Sequence, residues 1–444
     1  MAYPFQASET TLSFSALIND LRDLMRQFPD KRTGKNVSYR MEDVALAAFS
    51  VFFTQSPSFL AHQIAMTESQ GLSNAQTLFG ITKIPSDNHI RDLLDHVPAQ
   101  QVFPMFGRIF NALHELGHLQ DFQVLDDQLL IALDGTQYHS SNSIHCEQCS
   151  VTQHKGQTTY SHSVVTPVIV APGQRCALPL APEFITPQDG HRKQDCENAA
   201  AKRWLSQYAS QFQGHRITLL GDDLYSRQPL CEQVLAAGWN FLFVCKPTSH
   251  KTLYEWLEGL ERTDAVHTLT RQRRKGKRKE LDTYRFASQL PLRDGDDALA
   301  VNWCELITTD DSGKVLYRNA FVSNHTIDSD NVEAMVQAGR TRWKVENENN
   351  NTLKTKGYHL SHNFGHGQHH LSATLATLNL LAFLLHTVLD RMDSKYRLIR
   401  AKLPSRKIFF QHIQALTCYL CFDSFEELLD FMMKGWKLTH PDTS

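Results

Sequence analysis

The chain has 444 residues, 41% of them apolar and 21% charged. That is enough for about two or three domains, and it excludes a disordered tail, a coiled-coil rod and a collagen-like chain. With 45 basic against 47 acidic residues the net charge is −2, so only local clusters can speak for nucleic acid; nine cysteines are too sparse for a disulfide scaffold.

Residues 1–120 read as a helical region. The opening segment has no basic stretch followed by an apolar run, so no secretory signal is expected. The runs DVALAAFSVFF and QVFPMFGRIFNALHEL carry apolar residues at three- and four-residue spacing. Ser86 and Asp87, after Pro85, mark the start of a short helix, IRDLLDHV. Arg22, Arg26, Lys31, Arg32, Lys35 and Arg40 make the region locally positive, as a solvated helix face or a DNA-binding module would be.

The texture changes near residue 129. LLIALDGTQYH, TTYSHSVVTPVIVAPG and CALPLAPEFI read as three strands of a meander. DCENAAAKRWLSQYASQF reads as a helix, ITLLGDDL as a strand, RQPLCEQVLAAG as a helix and NFLFVCKP as a strand. The order β-β-β-α-β-α-β implies a mixed α/β sheet.

Residues 250–325 read as a β-rich insertion of four short strands. Within it, RQRRKGKRK (271–279) has seven basic residues in nine, a density that favours phosphate contact by Arg273, Arg274, Lys277 and Arg278. NVEAMVQAGRTRWKVENENNNTLK reads as one long helix capped by Asn331 or Asp330. SHNFGHGQHH reads as a Gly/His loop whose glycines shape a tight turn before the next helix, or whose histidines bind metal. Leu371 to Leu389 is nineteen residues without a charge, just long enough to span a bilayer. It stands alone and holds Asn379 and His386, so it reads as a buried core helix, His386 as a core histidine and the compartment as cytoplasmic. Residues 391–444 read as a basic helical C-terminal tail that opens with seven basic residues and one acidic residue in RMDSKYRLIRAKLPSRK.

Chemistry concentrates at strand ends. Asp134 closes the first apolar strand, and Asp222 and Asp223 close the fourth. Ligands of open α/β sheets gather at such carboxyl ends. Two carboxylates there suit a shared Mg²⁺ or Mn²⁺. The late helix supplies a third acid, with Glu346 and Glu348 as candidates. Arg342, Asn349, Asn350 and Leu353 fall on the Glu346 side, a face that mixes charge and amide where a plain amphipathic helix would carry Leu or Val.

These stretches — LDGT, LLGDDLYS and GRTRWKVENENNNTLK, in this order — resemble the bacterial insertion-sequence DDE transposases with a β-domain inserted before the last acid. The similarity spans roughly residues 129–390. It implies an RNase-H-like catalytic domain built from 121–249 and 326–390, in which Asp134, Asp222 and Glu346 hold two Mg²⁺ or Mn²⁺ ions, with Asp223 as the fallback for Asp222. It implies DNA cleavage and strand transfer at terminal inverted repeats, a target DNA, a homodimer on DNA and a nucleoid-associated bacterial protein. Arg342, Lys344 and Lys354 would neutralise phosphate, and Trp343 would stack on a base or pack in the core. Two positions depart from the pattern: Gly339 stands where the family has Tyr, and Lys354 lies eight residues after Glu346 rather than seven. On a regular helix that eighth position falls on a neighbouring face. A nuclease without strand transfer, or a non-catalytic DNA-binding derivative, remains open.

A second constellation is Cys146-x2-Cys149 with His154, which has zinc-ligand spacing, and His162 or His145 as a fourth ligand. Cys418-x2-Cys421 lies in apolar surroundings and reads as core.

Overall fold

The computed structural model describes residues 12–33, 38–187, 196–276 and 278–439. Six helices come first: α1 (Phe14–Met25), α2 (Met41–Phe53), α3 (Phe59–Thr67), α4 (Ser69–Phe79), α5 (Asp87–Leu94) and α6 (Pro104–Glu115). Ser13, Ser58 and Ser86 cap α1, α3 and α5, each side-chain oxygen accepting an N–H of the first turn.

Eight strands follow: β1 (Gln123–Val124), β2 (Gln128–Ala132), β3 (Gly135–Ser141), β4 (Ser150–His154), β5 (Gln157–Val165), β6 (Val168–Val170), β7 (Leu178–Pro179) and β8 (Glu183–Ile185). Each expected meander strand is thus two strands. The breaks fall at Leu133–Asp134, at Thr166–Pro167 and at 180–182. Proline cannot donate to a ladder, so Pro167 ends one pairing and lets the chain bend into another. The first halves or second halves join a large sheet; β3, β5, β4 and β8 form a small one.

Next come α7 (Glu197–Tyr208), β9 (Arg216–Gly221), α8 (Gln228–Ala236), β10 (Asn240–Val244) and α9 (Lys251–Arg262). The last of these is a helix inside the segment expected to be β-rich. The insertion strands are β11 (His267–Lys275), β12 (Arg278–Pro291), β13 (Ala300–Asp310) and β14 (Val315–Ser323).

The large sheet runs β11-β12-β13-β14-β10-β9-β2-β6-β7, with β1 on β2. β9 is parallel to β2 and to β10, while β6 is antiparallel to β2 and β7 to β6. Taking β2, β6, β7, β9 and β10 as strands one to five, the order is 3-2-1-4-5 with only the second reversed. This is the RNase-H-like arrangement of the expected mixed sheet. The insertion is continuous with it, because β14 pairs antiparallel with β10.

Central strands covered on both faces are largely apolar; β2 (QLLIA) and β9 (RITLLG) are so apart from Arg216 at one end and the buried pair Thr218 and Gln128, whose side chains bond each other at 3.0 Å. Leu129 and Ile131 face the main core, and Leu130 and Ala132 face a second one beneath α10 (Val332–Arg340). The expected single helix after residue 330 is broken. α10 is followed by a π-helical turn (Val345–Asn350) and a short α11 (Asn351–Thr355).

The chain then forms α12 (Leu371–Met392), α13 (Ser394–Lys402), α14 (Arg406–Tyr419) and α15 (Phe425–Gly435). Helix α12 is the only one among the described residues long and apolar enough to cross a membrane, and it is buried against α2, α5 and α6. His386 lies in that core, its Nδ1 2.6 Å from the Tyr358 hydroxyl. The C-terminal helices are not a loose tail. Phe425 stacks on Phe14, and Asn74 donates to the carbonyls of Thr417 and Leu420. Cys418 and Cys421 correct the sequence reading: both are exposed, because the chain leaves α14 at the surface there.

Candidate functional site

Strands β2 and β9 run side by side in parallel, with Ala132 opposite Leu220. Two residues further along each strand, Asp134 and Asp222 leave the sheet together at its carboxyl edge. Burial pushes the Asp134 carboxyl up to about 6; the Arg342 guanidinium opposes this, while Glu197 and Asp222 add to it. Asp222 accepts the Leu224 N–H at 2.8 Å. Asp223 has a different job. It accepts the Lys246 N–H at 2.7 Å and the Ser249 hydroxyl, so it ties β9 to the turn after β10.

Glycines shape this edge. A Cβ on Gly135 would sit 2.3 Å from the Glu197 carboxyl carbon, and one on Gly221 would sit 2.8 Å from the Tyr225 side chain. The Tyr225 hydroxyl in turn donates to Glu197 at 3.1 Å. Glu197 is therefore a further carboxylate at the strand ends, and burial raises its pKa. An acid in the first turn of a helix ordinarily complements the dipole, so the sequence offers no signal that separates this one.

The helix after residue 340 supplies the other wall. Asn350 Nδ2 donates to Asp134 at 2.8 Å. Its Oδ1 accepts from Thr166, and the buried Asn349 amide donates to both Thr166 and Asn350. Arg342 and Asn350 stand four residues either side of the exposed Glu346, and both act on Asp134. The π turn bears on Lys354. A π turn closes i→i+5 and so absorbs one extra residue. The eight-residue spacing from Glu346 then behaves as seven would in an α-helix, and Lys354 lies within the field of Asp134. Burial lowers its pKa, opposed by that carboxylate. Gly339 also has a reason: a Cβ there would lie 2.6 Å from the Phe321 ring, leaving no room for Tyr.

Two expected phosphate contacts are corrected. Lys344 is buried, its ammonium donating to the carbonyls of Ala171 and Gln174, so it anchors the helix to the β6–β7 connection. Arg273 is neutralised by Glu280 at 2.7 Å and Asp282 at 2.6 Å on the neighbouring strand. Lys277 and the side chain of Arg278 lie outside the described residues, while Arg274 is exposed. Trp343 is exposed rather than core. In the N-terminal region Arg26, Lys31 and Arg32 pair with acids and Arg22 donates to the Phe79 carbonyl. Lys35 lies outside the described residues.

The second constellation is a cluster of Cys146, Cys149, His162 and His366, whose four ligand atoms all lie within 4.8 Å of one another and could hold a metal ion. The sulfurs are 4.0 Å apart. His162 Nε2 lies 3.5 Å from Cys146 Sγ and 3.4 Å from Cys149 Sγ, and His366 Nε2 lies 3.7 Å from Cys149 Sγ. Burial pushes the Cys146 thiol up to about 11 and holds His162 down at about 3 and His366 at about 4. His154 is not part of it, because it sits exposed at the outer end of β4. His145 stacks on Tyr160 instead. His366 takes the fourth place, from the Gly/His turn whose histidines the sequence offered as metal ligands beside the reading of a tight turn.

No family model matches the chain, and comparison with curated proteins finds no match.

Proposed function

We propose that the chain is a metal-dependent DNA transposase that cleaves and joins strands at the ends of a mobile element. The observation that carries this reading is the pairing of Asp134 and Asp222 at adjacent parallel strand ends, faced by a helix whose Arg342 and Asn350 both act on Asp134. Glu346 lies between those two residues and would be the third acid. The donor set is oxygen only, and a crowded buried carboxylate with a raised pKa is one that a hard cation would relieve. Asp134, Asp222 and Glu346 would hold Mg²⁺ or Mn²⁺. Bound there, such ions would supply activation of an attacking water or 3′-hydroxyl and stabilisation of the leaving oxygen.

The chain's own residues would do the rest. Asn350 fixes the Asp134 carboxylate through its amide. Arg342 and Lys354 would neutralise non-bridging phosphate oxygens. The exposed Trp343 would offer a face to an unpaired base, and Arg274 a charge to flanking phosphate. Asp223 is already engaged with the turn after β10, which favours Asp222 as the second acid. The partners are element ends and target DNA, held by a homodimer in the bacterial cytoplasm. The Cys/His cluster would hold zinc, the cation that two sulfurs and two imidazoles select.

The test is cleavage of labelled duplex carrying the element ends, with Mg²⁺ or Mn²⁺. Asp134→Asn, Asp222→Asn and Glu346→Gln should each abolish cleavage and leave DNA binding intact. Full activity in any of the three would remove that residue from the triad, and cleavage without joining would leave a nuclease.

A further inference from the structure

The Cys/His cluster draws its ligands from two remote parts of the chain. Cys146, Cys149 and His162 belong to the small sheet, which begins at Gly135, directly after Asp134. His366 belongs to the loop that leaves α11, sixteen residues beyond Asn350. Asn350 already binds Asp134. We propose that one zinc ion on Cys146, Cys149, His162 and His366 clasps the small sheet to this loop, and so locks the helix of Asn350 and Glu346 against the strand of Asp134.

The geometry supports the ion. Zinc bonds of about 2.3 Å to sulfur and 2.0–2.1 Å to nitrogen, at tetrahedral angles, give edges of about 3.8 Å between sulfurs and about 3.5 Å between sulfur and nitrogen. Four of the six edges are 4.0 Å for the sulfur pair and 3.5, 3.4 and 3.7 Å for sulfur to nitrogen, and the other two lie within 4.8 Å. A disulfide needs sulfurs about 2.05 Å apart and would give two imidazoles nothing to do. Four protein donors complete the shell, which is the mark of a structural site. His139 packs beside the cluster, its ring 4.5 Å from that of His366, with Nε2 3.4 Å from the Ile144 carbonyl.

His366 is presented by a built loop. The Asp95 carboxylate accepts the backbone N–H groups of Gln368, His369, His370 and Leu371 at 2.9–3.1 Å. Gly367 is left-handed at φ +69°, and a Cβ there would sit 2.2 Å from an Asp95 oxygen. Upstream, the Leu360 N–H donates to the Leu353 carbonyl, so the loop also holds the end of α11. The metal therefore closes a second link in a circuit whose first link is the Asn350–Asp134 hydrogen bond. The site itself stands apart from the enzyme reading; only its effect on cleavage rests on that reading.

The experiment uses the full chain purified without chelators. Metal analysis should find about one zinc per chain, and replacement by Co²⁺ should give the intense visible bands of a tetrahedral site with a thiolate-to-cobalt band in the near ultraviolet. His366→Asn should weaken zinc affinity by more than about 100-fold, beyond the loss of an outer-shell partner, whereas His154→Asn and His139→Asn should leave it unchanged. Removing zinc from the unaltered chain should raise amide hydrogen exchange in the 142–162 hairpin and in residues 345–370 together. Absence of stoichiometric zinc and of the cobalt spectrum would overturn the site. Loss of zinc in His154→Asn with retention in His366→Asn would overturn the ligand set. Unchanged exchange in 345–370 after zinc removal would overturn the clasp. A zinc-loaded chain that shows the exchange coupling but cleaves no DNA upholds the clasp and sinks the enzyme reading alone.

Discussion

Replacing Asp134 by Asn tests the electrostatics of the strand-end site without any DNA. The folded site lifts this carboxyl from 3.8 to about 6, chiefly by burial. Between those two values the folded chain binds more protons than the unfolded one, so this group's contribution to stability falls as pH rises. It is fully present below the unfolded value and gone once pH passes about 6. A shift of about two units corresponds to about 3 kcal/mol. Asn keeps a side-chain oxygen beside Asn350 and has nothing to titrate. In the absence of divalent cations, urea unfolding should therefore show the gap between variant and wild type widening by about 1.4 kcal/mol, in the variant's favour, from pH 5 to about 7.5. Added Mg²⁺ should stabilise the wild type and narrow the gap. A gap that stays flat, or closes as pH rises, would refute the argument that burial makes this carboxylate a liability when nothing neutralises it.

Asp222 and Asp223 should separate cleanly. Asp222→Asn should abolish cleavage with little change in unfolding, while Asp223→Ala should keep cleavage and lose about 1–3 kcal/mol, because it orphans the Lys246 N–H and the Ser249 hydroxyl. Deleting the exposed Asn347 should relax the π turn to an α turn with Lys354 still on the Glu346 face; thermal unfolding at or above the wild-type midpoint is expected, and a large drop would refute the bulge reading. Arg273→Gln should destabilise the chain by about 1–3 kcal/mol, since it removes the counter-charge of two buried acids, of which Asp282 keeps the Thr308 hydroxyl. Arg274→Gln should leave stability alone and make the salt dependence of DNA binding shallower by about 0.9.

Strand ends were legible because two apolar runs of one sheet both stop at acids; that points to Asp134 and to the Asp222–Asp223 pair, and only the family resemblance preferred Asp222. The bends between the two sheets are signalled only by Pro167. Glu197 is illegible, since an acid that begins a helix looks the same whether it complements the dipole or faces a carboxylate cluster. For His366 the sequence offered metal binding by its turn but not the partners: 204 residues separate it from His162, and spacing rules see only neighbours, so they joined Cys146 and Cys149 to His154 instead. Lys344 and Arg273 mislead because a sequence shows charge and hides its partner. The eight-residue step to Lys354 looks like a broken pattern until the π turn absorbs one residue.

Helix α2 bears on how the chain is made. All thirteen of its residues are buried, and its principal neighbour is α12. More than 300 residues of chain lie between the two. At about 5–20 residues per second, a ribosome needs roughly 15–65 s to deliver the second after the first. For that interval the side of this largely apolar helix that packs on α12 lacks its cover, with only α1, α3 and α5 beside it. Synthesis must therefore proceed with α2 sheltered by collapse onto its neighbours or by a chaperone, and a copy cut short before α12 leaves that surface permanently bare and marks itself for proteolysis.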